Sequence, residues 1–270
     1  MSNLWSDPAV VRDQVCLVTL IGVAISSLEW LTPWRKLRPE GLLAAECFGA
    51  SAIERWWRPH GLRGVFVVRL ACAVVFLGSM LLDVDTIASR ASVLAAGLVS
   101  LPIRFRPPVG VLVAVDGAEN MFTMVLLALG PTFFFDSTLC LEAALAFVAV
   151  QALLEYGVAG WSKFTDRRGW VHGPYLQQVF TSTDYGHPRA AAVLQASPAM
   201  VRVLSTALIA LELSVVFSVI LPPPFAEALL LSVTAFHLGA AFLMGLNTYV
   251  WAFAAAYPAI LHGRNLLLGL

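Results

Sequence analysis

Long apolar stretches separated by polar connections organise this chain. Runs able to cross a hydrocarbon layer of about 30 Å cover residues 14–31, 62–82, 88–103, 110–135, 138–162, 201–221, 224–245 and 247–262. None alternates with the period of two that marks a barrel strand, and lipid offers no partner to a free backbone N–H or C=O, so each run predicts a helix. The pattern therefore predicts an all-α integral membrane protein. It is expected to be a polytopic bundle of about eight transmembrane helices with interfacial helices, in a single membrane domain over residues 1–270. The runs at 88–103 and 247–262 are short enough to be re-entrant. The first, from Gln14 to Leu31, spans and lacks a small-residue cleavage site before Arg35 and Lys36, so it is expected to stay in the protein.

Two connections are long. Residues 32–61 set Leu42, Leu43, Phe48, Ile53, Trp56 and Trp57 among charges, which suits a helix in the headgroup region. Residues 163–198 mix Trp170, Tyr175, Phe180 and Tyr185 with His172, Asp184, His187 and Arg189, and predict a polar cap folded back on the membrane surface.

Composition sharpens this reading. Of the 270 residues 59% are apolar and 13% charged, against about 45–50% and 25% in soluble domains. Formal net charge is zero, and no long basic tract is present, so nucleic acid is not an expected partner; the lipid bilayer is. Lysines and arginines gather at 35–58, 104–106 and 163–189. Because cations are retained on the cytoplasmic side, these connections are expected to face the cytoplasm, with the N-terminus outside. Cys16, Cys47, Cys72 and Cys140 are scattered without a CxxC pair and read as small hydrophobes, so no metal set is expected.

An ionisable side chain at mid-bilayer costs about 2.5–3.5 kcal/mol on insertion scales and has a reason to be there. Glu29, Arg69, Asp116, Glu119, Glu155, Glu212 and His237 lie in or near spans. Arg69, Glu29 and Glu212 suit internal pairs, Arg69 with a carboxylate of a neighbouring helix. The stretch VDGAENM, 115–121, places Asp116, Glu119 and Asn120 beside Gly117. It reads either as a broken helix lining a pocket or as a helix start capped by Asp116.

The stretch YGVAGWSKF, 156–164, ends a span on a lysine. On a helix Tyr156, Gly160 and Lys163 share a face, and Ala159 with Gly160 admits a close neighbour. Lys163 then reads as a snorkelling end anchor or as a group turned into the bundle.

Tyr156-x-x-Ala159-Gly160-x-x-Lys163, followed by Trp170-Val171-x-Gly173, resembles the segment that holds the lysine base of vitamin K-dependent gamma-glutamyl carboxylases. Residues 235–261, with Phe236-His237 and a Gly-x-x-x-Tyr stretch, are similar to a second word of that family. Both belong to the wider horizontally transferred transmembrane (HTTM) group, whose bacterial members include small proteins of peptide-toxin biosynthesis. The resemblance implies a bacterial inner-membrane location and a quinone cofactor such as reduced vitamin K. In those enzymes the lysine deprotonates the quinol, oxygen turns it into a strong base, and a peptide glutamate loses its gamma proton and captures carbon dioxide. By resemblance Lys163 stands at the base and His237 in the same cavity, with Tyr156, Trp170 and Gly173 completing the words. Asp116, Glu119 and Asn120 stand where the carboxylases carry a histidine. The extramembrane portion that follows the carboxylase bundle has no counterpart in the 270 residues. Two functions follow: a non-catalytic accessory subunit that binds other membrane subunits or a small peptide, or an enzyme using Lys163 as a base on a quinone or peptide.

Overall fold

The computed structural model describes residues 5–32, 52–105, 117–172, 174–182 and 186–270, and these are all-helical. The chain divides into two compact units. One comprises Pro8–Leu145 with Trp251–Ala255, and the other Met1–Asp7, Ala146–Val250 and Ala256–Leu270.

The first unit is built on α1 (Pro8–Leu31), α2 (Ala52–Leu81), α3 (Ile87–Phe105) and α4 (Gly117–Leu129), followed by a 3-10 turn, Gly130–Phe133. Pro8 opens α1, where a missing N–H costs nothing. At the start of α3, Thr86 Oγ1 accepts from the Ser89 N–H at 3.0 Å, and Ser89 Oγ accepts from the Thr86 N–H at 3.1 Å. This is a reciprocal cap with serine in the usual Glu/Gln place. The core joins Val15, Leu20 and Val23 of α1 to Phe66 and Ala73 of α2 and to Phe122 and Leu126 of α4, all buried. Gly22 makes that packing possible, since a Cβ there would fall 2.6 Å from Phe122 Cε1 and from Trp251 Cβ.

Helix α5 (Thr138–Thr165) belongs to the second unit from Ala146 onward. A π-helical turn, Arg167–Val171, then leads to α6 (Pro174–Thr181), α7 (Pro188–Ala196) and α8 (Pro198–Val215), which tightens into a 3-10 turn at Val216–Val219. After α9 (Phe225–Met244) come α10 (Asn247–Ala254) and α11 (Tyr257–Leu268). Prolines begin α6, α7 and α8, and Gly245 closes α9 in the left-handed region at φ 73°.

Among the described residues five segments are long and apolar enough to cross a membrane: Pro8–Leu31, Arg63–Leu81, Thr138–Thr165, Pro198–Val219 and Phe225–Met244. They coincide with five of the expected spans. The other three take different forms. Residues 88–103 are α3, a shorter apolar helix. Of 110–135, residues 110–116 lie outside those described, and α4 covers only 13 residues before Pro131 tightens the chain. Residues 247–262 break at 255–256 into α10 and α11, because Pro258 has no N–H to donate and its ring clashes with the carbonyl four residues back. In the first long connection residues 33–51 lie outside those described, and from Ala52 the chain is already α2. Of the second connection, the described residues form the end of α5, the π turn, α6 and α7.

Candidate functional site

The second unit gathers Tyr156, Lys163, Trp170 and His237. Helix α5 supplies Tyr156, Gly160 and Lys163 at i, i+4 and i+7, so all three point to one side. Gly160 decides what meets them. A Cβ on it would lie 3.0 Å from the Leu213 backbone nitrogen and 3.1 Å from Glu212 Cβ, so its bare backbone lets α8 approach. That approach carries Glu212 to Lys163.

Lys163 Nζ donates to Glu212 Oε1 at 2.7 Å and to Oε2 at 2.8 Å, with a longer contact of 3.5 Å to the Ala159 carbonyl. The Glu212 carboxylate is thus the main partner of the ammonium, the Ala159 contact being longer than an ordinary N–H···O bond of about 2.7–3.2 Å. The side chains are 18% and 9% exposed, so the pair is largely shielded from the surroundings. The Trp170 ring lies 5.4 Å from the ammonium, within cation–π reach. Its own position is fixed twice. The Ser205 hydroxyl of α8 donates to the Trp170 carbonyl, and Tyr175 of α6 packs edge-on against the indole at 6.0 Å. Asp166 Oδ1 accepts from the Gly169 N–H at 3.2 Å and shapes the π turn that presents Trp170.

Two turns back along α5, about 10 Å by helix rise, Tyr156 Oη and His237 Nε2 share a hydrogen bond of 2.7 Å whose direction depends on the histidine tautomer. Both residues are buried. Tyr257 Oη stands 3.4 Å from Tyr156 Oη, and the Tyr249 ring stacks on His237 at 6.3 Å and 24°. His237 comes from α9, Tyr249 from α10 and Tyr257 from α11, so one face of α5 is held by polar links to α8, α9 and α11, with Tyr249 of α10 stacked on His237.

Glu119 and Asn120 belong to the first unit. There Arg69 Nη2 lies 2.8 Å from Glu119 Oε2, the Ser26 hydroxyl donates to Glu119 Oε1, and the Phe66 ring sits 5.6 Å from the guanidinium. This is the expected pairing of Arg69 with a carboxylate of a neighbouring helix, so Glu119 has a structural partner on α2. Asn120 is half-buried, whereas Glu29 is exposed at the end of α1. Asp116 and Gly173 lie outside the described residues.

The sequence suits Glu212 to an internal pair without marking Lys163 as its partner, and no pattern in it singles out Ser205 or Tyr257. Tyr249 could have been found, since it ends the Gly245-x-x-x-Tyr249 word. Among the described residues no group of three or more His, Cys, Asp or Glu side chains is placed to hold a metal ion. Cys16, Cys72 and Cys140 are unbridged. The arrangement holds helices together through an ion pair and a tyrosine–histidine network. As placed, the Lys163 ammonium is held by the Glu212 carboxylate. Compared with known proteins, the chain matches no protein-family description, no curated protein and no solved structure.

Proposed function

We propose that this chain is a polytopic bacterial inner-membrane protein of about eight crossings. In this reading it resembles the HTTM domain of vitamin K-dependent carboxylases in its bundle and works as a non-catalytic accessory or partner-binding subunit. One observation carries the reading: both oxygens of the Glu212 carboxylate lie within 2.8 Å of the Lys163 ammonium. A general base must present a lone pair to its substrate. A lysine bound this way instead ties the end of α5 to α8 and leaves neither charge isolated between the two helices.

The test replaces Lys163 with arginine, which keeps the charge and can pair in two places with a carboxylate but cannot give up a proton at accessible pH. Full expression and the full phenotype of the intact gene are expected. Normal expression with lost phenotype would sink the accessory reading. That outcome would favour a second one, a membrane enzyme using Lys163 as a base on a quinone or peptide. The buried Tyr156–His237 hydrogen bond on the same face of α5 supports that alternative, because it places a second proton-exchanging pair along the helix.

A further inference from the structure

We propose that the face of α5 around Glu155 docks a transmembrane helix of a partner protein carrying a lysine or arginine at the centre of its apolar stretch. This names the partner chemistry of the accessory role above and rests on that reading. Helix α5 has 28 residues, about 42 Å of rise, and exceeds the hydrocarbon layer. Glu155 lies about 5 Å from its midpoint, at a depth where an ionisable side chain needs a partner.

Glu155 is half-exposed, and its Oε1 accepts one hydrogen bond from Gln151 Nε2 at 3.0 Å, a turn earlier on the same helix. Among the described residues no ion pair reaches it. A neutral amide on its own helix supplies one donor, which leaves the charge and the remaining lone pairs for a group from elsewhere.

Beside Glu155 the helix presents an apolar seat. Leu154, Val158 and Ser162 follow one another at i+4 spacing, with Gln151 and Glu155 along the adjacent edge. Leu154 and Val158 are 55% and 65% exposed. With Val150, Trp161 and Val216 they line a groove of about 450 Å³. The groove receives apolar side chains, and the acidic edge sets both the depth and the sign of what docks. A second copy of this chain fits worse. A two-fold axis along the membrane normal brings equal depths together, so Glu155 would meet Glu155.

The experiment mixes labelled full-length protein with a labelled poly-leucine transmembrane peptide in POPC vesicles and reads association by energy transfer. One peptide carries a central arginine and the other leucine at that place. The arginine peptide is expected to associate about tenfold more tightly, an interhelical polar contact's worth. Glu155→Gln should abolish that preference, and Glu142→Gln should retain it. Equal association of the two peptides with wild type would overturn the proposal, as would an arginine preference that survives Glu155→Gln. Self-association of the protein that depends on Glu155 would overturn it in favour of a homodimer. If the peptides fail while Lys163→Arg keeps its phenotype, the accessory reading stands without this docking face. If Lys163→Arg loses phenotype while the arginine peptide binds, the accessory reading falls and the docking face remains.

Discussion

Removing one member of the Lys163–Glu212 pair should destabilise the protein more than removing both. Taking one partner from a buried ion pair typically costs about 3–5 kcal/mol, because the other charge is left uncompensated. In Glu212→Leu the stranded group is Lys163, whose side chain is 18% exposed and whose flexible stem can carry the ammonium toward the headgroups. The expected loss is therefore at the low end, about 3 kcal/mol. In Lys163→Met the stranded group is Glu212, 9% exposed and on a shorter side chain, so about 4 kcal/mol is expected. The double variant Lys163→Met/Glu212→Leu replaces the pair with apolar side chains of similar length and leaves no orphan. It should lie nearer to wild type than either single variant, with a coupling of at least about 4 kcal/mol. Reversible unfolding in mixed micelles at increasing SDS, followed by tryptophan fluorescence, gives all four stabilities. A double-variant loss equal to the sum of the singles within about 0.5 kcal/mol would refute the pair's structural role.

Gly160→Val should lower stability by about 1–3 kcal/mol through collision with α8, whereas Gly239→Ala, whose Cβ would meet open space in α9, should be neutral or stabilising; thermal melts in one detergent compare the two. Tyr156→Phe deletes the 2.7 Å link to His237 and strands a buried ring nitrogen, for an expected loss of about 1–3 kcal/mol in the same assay. An unchanged melting point would mean that the hydrogen bond has no structural weight.

The long apolar runs were readable because membrane helices carry their own signature: five of the expected spans recur within a few residues of their positions in the sequence. Where hydropathy alone misled, a backbone effect intervened. Pro258 divides 247–262, and Pro131 ends the regular turns of α4, although both segments are apolar enough to pass as spans. The shared face of Tyr156, Gly160 and Lys163 followed from helical period. What faced it did not, since period assigns a side but not a neighbour. Glu212 lies 49 residues from Lys163 and Tyr257 lies 101 from Tyr156, and only the packing of α8 and α11 brings them there. Arg69 was a more readable case, because a buried guanidinium demands a carboxylate wherever it lies.

The central claim is that Lys163 is committed to Glu212, and a density map of the full-length protein in lipid nanodiscs tests it most directly. The account predicts continuous side-chain density joining the Lys163 ammonium to both oxygens of Glu212, with Trp170 against it and no ligand between them. A map with Lys163 turned away from Glu212, its nitrogen against a bound quinone or peptide, would contradict it.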